Sequence, residues 1–255
     1  MSVDAWQPLW IGDAPRQLYA ALHAAAAARV GVLMAPPLLH EQPRSRRVLV
    51  EVASRLAALG LACLRFDYFG TGDSAGDGEQ HDIGAMHADL DVAAAALRSG
   101  TGVQRIVVLA WRGAALPVAS WAARRADLGA FAMWEPVVGG AAWLAQLETA
   151  DRAQRMERYG MLQDDPCDTH LMGFPTSAAW RSGIAAARVD ASATLPLWAL
   201  ARAGAAPAAA QRHFELPADA PRFDDGVGIE DAMFLSRKLF GVVDDFARAC
   251  AALDA

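Results

Sequence analysis

Residues Arg65 to Gly76 read RFDYFGTGDSAG. A short apolar run, Leu61 to Phe66, stops at Asp67 and gives way to a turn carrying Gly70, Gly72 and Gly76. Glycine takes positive φ without a Cβ penalty and lets backbones approach closely, so this reads as a buried strand running out into a tight loop. Upstream, Leu49, Val52, Leu56 and Leu59 recur at helical spacing from Ser45, and Gly60 stands where a helix would end. Before that helix, Val30 to Ala35 is a strand closed by Pro36-Pro37, and Leu18 to Leu22 is another short β-like run. Downstream, Ile83, Met86, Leu90 and Leu97 mark a second amphipathic helix. Gln104 to Ala110 is continuously apolar, as in a strand covered on both faces. A third helix starts no earlier than about Ala114, because Pro117 suits only a first turn, and runs to about Ala126. Gly129 to Trp134 is the next buried strand.

This alternation predicts a parallel sheet with helices on both faces. The rhythm breaks from Gly139 to Ala193, a stretch of mostly helical pattern that reads as a lid over the strands' carboxyl ends. Leu195–Leu200 and Gln211–Leu216 are the last strands, and Ile229–Ala252 is a closing helix. The expectation is one domain over residues 1–255, with 139–193 as the lid.

Composition sets the outer limits. A chain of 255 residues that is 54% hydrophobic has the apolar content for one large core, which excludes a disordered protein. The net charge of −6, with no basic face, argues against nucleic acid as a partner. Cys63, Cys167 and Cys250 have neither disulfide-framework nor zinc-site spacing, and no metal or cofactor is expected. The start, MSVDAWQPLW, lacks the basic residues and apolar run of a signal peptide, and the most apolar stretch, Gly129 to Ala145, is broken by Glu135 and Pro136. A cytoplasmic protein without a membrane span is expected. Nothing in the sequence sets its oligomeric state.

The string FDYFGTGDSAGD (Phe66 to Asp77) resembles the Asp-x-x-Gly-x-Gly-x-Ser turn that follows the fourth strand of the α/β-hydrolase superfamily. PPLLHEQPRSRR (Pro36 to Arg47), LAWRGAALPVA (Leu109 to Ala119), MWEPVVGG (Met133 to Gly140) and HLMGFPTSAAWRSGI (His170 to Ile184) extend the resemblance from about Val30 to Arg188. It is closest to the exosortase-A-system-associated hydrolase 2 subgroup and to serine aminopeptidase-like proteins. The resemblance implies an α/β-hydrolase fold with a mostly parallel eight-stranded sheet, a hydrolase-type activity, and a setting in exopolysaccharide and protein-sorting loci.

The catalytic positions depart from the superfamily pattern. Gly72-Asp73-Ser74-Ala75-Gly76 satisfies G-x-S-x-G but follows the wrong strand for a nucleophile elbow, and in the resembling family it is a structural turn. The elbow position, after Gln104–Ala110, reads Trp111-Arg112-Gly113-Ala114-Ala115 and puts Arg112 in the nucleophile's place. A guanidinium stays protonated and has no lone pair with which to attack. The exosortase-associated subgroup carries an arginine here too, so the resemblance implies an inherited departure. Where the acid usually stands the sequence reads Ala201-Arg202-Ala203-Gly204. No histidine follows His213, which lies within a strand. A Ser-His-acid mechanism needs all three groups in contact.

Arg112, Glu135 and His40 are therefore the candidate catalytic residues, with Trp111, Gly113, Glu41, Asp73 and Trp134 as substrate-binding candidates. Glu135, after the sixth strand, is either a relocated acid or the ion-pair partner of Arg112, and the pair is preferred because charges at a sheet edge are usually paired. Arg112 with a helix N-terminus would favour an anion. Trp111, Trp134, Trp143 and Trp180 either line an apolar pocket beneath the lid or pack in the core, the commoner use. Three readings stand. The chain is an acyl-, ester- or thioester-directed enzyme or accessory enzyme without a serine, with His40 or Glu135 carrying protons. Or it is a catalytically dead protein that binds a small carboxylate or acyl ligand or a partner. Or it is a conventional hydrolase with Ser74 as nucleophile.

Overall fold

Eight strands lie side by side, and the order of their hydrogen bonding brings the functional loops together. In the computed structural model, which describes residues 6–159, 169–190, 195–223 and 235–254, they are β1 (Trp6–Ile11), β2 (Leu18–His23), β3 (Val30–Ala35), β4 (Ala62–Phe66), β5 (Arg105–Trp111), β6 (Leu128–Trp134), β9 (Leu197–Ala201) and β10 (Arg212–Glu215). A two-stranded hairpin, β7 (His170–Leu171) with β8 (Phe174–Pro175), stands apart. The large sheet runs β1-β2-β4-β3-β5-β6-β9-β10; β2 pairs antiparallel with both β1 and β4, and every other pairing is parallel.

The helices are α1 (Glu41–Ala58), α2 (Ile83–Thr101), α3 (Ala115–Ala122), α4 (Gly140–Tyr159), α5 (Ala178–Ala186) and α6 (Arg237–Ala251). On one face, α1 and α6 bury Val48, Val52, Leu56, Leu239, Val243 and Phe246 against the sheet. On the other, α2 and α3 bury Met86, Leu90, Leu116 and Trp121. Central strands β3, β6 and, beyond the exposed Arg105 at its start, β5 are apolar because both faces are covered.

The mostly parallel eight-stranded sheet is as expected. The β7–β8 hairpin stands within the stretch read as helical, and the strand of the large sheet absent from the sequence reading is β1, WQPLWI, whose burial is slight until Ile11. As the outermost strand it has one pairing partner and tolerates Pro8. The third helix ends at Ala122, four residues early, and α1 begins at Glu41, four residues before Ser45. Within the closing helix, α6 begins at Arg237; residues 229–234 lie outside the described ones.

Between β6 and β9 the chain leaves the sheet for α4, the β7–β8 hairpin and α5. It leaves and returns side by side: Gly139 and Arg188 form an isolated antiparallel bridge, Gly140 N–H donates to Ala187 at 3.0 Å, and Val189 N–H to Val138 at 3.0 Å. A Cβ on Gly140 would stand 1.7 Å from the Ile184 carbonyl oxygen, so this neck closes only with glycine.

Candidate functional site

Leu39 (φ +54°), Arg112 (φ +54°) and Glu135 (φ +40°) are three of the five non-glycine residues with positive φ among the described residues. They follow β3, β5 and β6, which are neighbours in the sheet. L-residues rarely adopt this conformation because Cβ crowds the backbone, and it persists where the surroundings over-determine it. Backbone strain is thus concentrated at one place on the sheet's carboxyl edge.

Arg112 opens a 3-10 turn, Arg112–Ala114, that joins β5 to α3. Its Nε and Nη2 each stand 3.2 Å from Glu41 Oε1, and its Nη1 donates to the Glu135 carbonyl at 3.1 Å. The Glu41 side chain is 3% exposed and that of Arg112 20%. The Arg112 carbonyl accepts from Val137 N–H at 3.2 Å, and the Phe223 ring lies 5.7 Å from the guanidinium carbon.

The carboxylate that takes Arg112 is therefore Glu41, which corrects the expected pairing with Glu135. Glu41 is the first residue of α1, where the helix dipole favours an anion, and α1 starts beside the elbow. Glu135 offers Arg112 its carbonyl, while its carboxylate pairs with Arg202 Nε at 2.8 Å. Arg202, just beyond β9, donates in turn to the carbonyls of Pro217 (3.2 Å), Ala218 (3.1 Å), Ala220 (2.8 Å) and Pro221 (3.4 Å). Charge and hydrogen bonding thus run from α1 through Arg112, Glu135 and Arg202 to the loop after β10. Glu41 and Arg112 were both legible as candidates. Arg202 was missed, although a cation standing where an acid was sought was the available signal.

Gly113 contacts protein rather than lining an open substrate cleft. A Cβ on it would lie 2.4 Å from the Trp143 ring, so glycine admits the α4 indole onto the elbow. The four tryptophans do not line one pocket. Trp111 and Trp134 stack with centroids 4.2 Å apart, 13° from parallel, in the core beneath α1 and α6. Trp143 and Trp180 belong to the core of the opposite face. The Trp111–Trp134 stack contributes about 1 kcal/mol beyond its buried area. The substrate-binding expectation for Trp111 and Trp134 gives way to packing.

His40 is half-buried at the N-cap of α1. Its pKa is pushed down to about 4 by burial and by the positive charges of Arg44 and Arg112. It is neutral near pH 7, too weakly basic to serve as a strong proton acceptor there.

Asp73 stands apart from Arg112. It is exposed and pairs with Arg46 at 3.0 Å, and its N–H donates to Asp67 Oδ2 at 3.0 Å. Asp67 is the centre of that turn, accepting also from Gln42 Nε2 at 2.9 Å and Arg46 Nη2 at 3.0 Å. A Cβ on Gly72 would fall 2.1 Å from Asp67 Oδ2, which is why the motif carries glycine there. Ser74 Oγ accepts from Tyr19 N–H at 2.9 Å and donates to the Asp67 carbonyl at 2.6 Å. Its hydroxyl ties β2 to the loop, a structural role.

Among the described residues, no group of three or more His, Cys, Asp or Glu is placed to hold a metal ion, and no helix is long and apolar enough to cross a membrane.

No family model matches the chain, and no curated protein matches it in sequence. Solved structures match it in shape. DcsB, in complex with its substrate analogue, is 15% identical with a TM-score of 0.64, over 97% of this chain and 99% of that one. Est1E from Butyrivibrio proteoclasticus, with bound ferulic acid, is 17% identical with a TM-score of 0.64, over 96% and 99%. Proline iminopeptidase from Mycobacterium smegmatis is 11% identical with a TM-score of 0.62, over 98% and 100%. At such identities the likeness is one of fold, and the fold is that of the α/β-hydrolases.

Proposed function

We propose that this chain is a cytoplasmic, non-hydrolytic binding protein built on the α/β-hydrolase fold, with the nucleophile's turn given over to a structural cation. The observation that carries the reading is the clamp on Arg112: at the strained tip of the β5–α3 turn, its guanidinium is held by the buried Glu41 carboxylate and the Glu135 carbonyl. A guanidinium cannot attack a carbonyl carbon, and the neighbouring His40, held down to about 4 by burial and by Arg44 and Arg112, is too weak a base to activate another nucleophile near pH 7. The loops after β9 and β10, which we read as the acid and histidine positions of a triad, are joined by Arg202. Residues 139–193 act as a lid, with Trp143 seated on Gly113. The resemblance to the exosortase-A-system-associated hydrolases supports a role beside a biosynthetic locus, as an accessory rather than a hydrolase.

The purified chain should show no labelling by a fluorophosphonate and no hydrolysis of p-nitrophenyl acetate or butyrate above the buffer rate. Turnover at enzyme-like rates with matching active-site titration would overturn the reading. A second reading, a carboxylate or acyl-group site at Arg112, is favoured by the one-fifth exposure of that side chain. The ligand would have to take the place of Glu41. Calorimetry with butyrate should then show binding that strengthens in Glu41→Gln and disappears in Arg112→Ala.

A further inference from the structure

We propose that the face of β1 and β2 that looks toward α1 is a binding site for an acidic oligosaccharide, a chain of pyranose rings with a carboxylate on a central one. Side chains on a strand alternate between faces, so Trp6, Pro8 and Trp10 of β1 share one. Trp6 is 38% exposed and Trp10 60%, whereas the six other tryptophans are buried. Their partners across the ladder are His23, Ala21 and Tyr19. Ala21, opposite Pro8 and midway between the indoles, lines a pocket with Tyr19, Gln42, Arg46, Arg65 and Asp67. Each indole touches one of these walls. The Arg65 guanidinium carbon lies 5.7 Å from the Trp6 ring centroid, and Trp10 meets Tyr19 edge to face at 5.9 Å. Exposed apolar surface rimmed by polar groups marks a place where something binds. Arg112, Glu135 and Arg202 do not line the pocket, so it is separate from the elbow.

The charges in the pocket ask for an anion. Arg65 Nε donates to His23 Nε2 at 3.0 Å, and among the described residues its two Nη atoms donate to no protein acceptor. Arg46 has committed its own Nη atoms to Asp73 and Asp67, each at 3.0 Å. Burial lowers the Arg65 pKa and Arg46 adds to the effect, against the opposing influence of Tyr19 and Asp67. A half-buried guanidinium with two unspent nitrogens matches the two oxygens of a carboxylate. The enclosed part of the pocket measures about 20 Å³, room for one water-sized group such as a carboxylate oxygen.

The spacing narrows the ligand to a chain of rings. Trp6 and Trp10 are four residues apart, about 13 Å along the strand at about 3.3 Å per residue, so one ring does not reach both. A pyranose carries an apolar C–H face, which lies against an indole, and hydroxyls around its rim, which need donors and acceptors. Arg65 donates, Asp67 accepts, and the Tyr19 hydroxyl does both. Sugars on either side of an acidic one reproduce the order indole, guanidinium, indole. Single-stranded nucleic acid also combines stacking with positive charge, but its phosphates would face Asp67 and Asp73 on a chain of net charge −6. A second copy adding a strand at this edge would meet Pro8, which has no N–H to give.

The test is calorimetry on the intact chain with trigalacturonate, which is α-linked, and trimannuronate, which is β-linked. At least one should bind with a Kd below about 1 mM. The methyl ester of that trimer, which has lost its charge, and the corresponding monosaccharide should each bind about tenfold more weakly. Arg65→Gln and Trp10→Ala should each weaken the acidic trimer about tenfold. Trp10 is the more exposed of the two, so if Arg65→Gln fails to fold, Trp10→Ala and the ester comparison decide. No binding of either trimer at about 10 mM would overturn the proposal, as would equal affinity for acid and ester. Tighter binding of a thymidine trinucleotide would overturn it in favour of nucleic acid. Sedimentation showing a dimer that Trp10→Ala dissociates would overturn it in favour of a second copy covering the stripe. The elbow reading is decided separately by ester turnover, so either can fail without the other.

Discussion

The Asp67 turn and the Arg112 turn stand at the same edge of the sheet and are served by the same helix, yet they are built on opposite principles. In the first, an acid is the centre and donors converge on it: the Gln42 amide, the Arg46 guanidinium and the Asp73 backbone. Its tight bends are made by Gly70 and Gly72, at φ +77° and +57°, so no side chain is strained. In the second, a cation is the centre and acceptors converge on it, and the positive φ is borne by the arginine itself. Glycine serves where only the backbone has to turn. A strained L-residue persists where a side chain has to be aimed from the turn. Successive residues of the first turn of α1 divide between the two, Glu41 to Arg112 and Gln42 to Asp67.

Removing an acid from each turn should separate the two designs. Glu41→Ala leaves Arg112 without its carboxylate in a largely buried position, and should cost about 3–5 kcal/mol in urea unfolding. The double variant Glu41→Met/Arg112→Met should recover most of it; a loss below 1 kcal/mol in the single variant would end the claim that the cation organises the elbow. Asp67→Ala should cost less, about 3 kcal/mol, because Arg46 is half-exposed and can turn to water. If this variant is the less stable of the two, the ranking is reversed.

The histidines beside the two turns give a smaller, pH-dependent contrast. His81 is held near 4 in the folded chain against 6.5 unfolded, so the unfolded chain takes up the proton first. Its contribution is fully present above about pH 6.5 and is lost as the pH falls through 4. The expected loss is about 2 kcal/mol between pH 7 and 5. His81→Gln should flatten the dependence of the urea midpoint on pH more than His40→Gln does, since His40 is half-exposed. The smallest effect belongs to Asp73→Asn. Its pairing with Arg46 is exposed and should contribute less than about 0.5 kcal/mol in the same assay.

The sheet was legible because its central strands are buried on both faces and read as continuous apolar runs, with Gly60 and Pro36-Pro37 marking where elements end. The edge strand β1 has one neighbour and a mostly exposed side, so its residues follow no period. At the site, Arg112 and Glu41 could be singled out by type and place, but their partnership spans 71 positions. Which of two acids reaches a guanidinium depends on where α1 begins, and no spacing rule reports that. Glu135 deceived for a related reason, since its positive φ presents carbonyl and carboxylate to different arginines.

The neck of the helical insertion has an evolutionary consequence. Val138 and Val189 are hydrogen-bonded across it, and β6 and β9 pair directly from Phe131–Leu197 to Trp134–Leu200, so the two strands keep their register whatever hangs from the neck. The ends of any replacement segment would therefore be brought together beforehand, and doubling its length would add only about 0.6 kcal/mol of closure entropy. A fold joined in this way can trade one inserted segment for another by recombination while the eight strands stay as they are, provided the glycine at position 140 travels with the scaffold rather than with the insert.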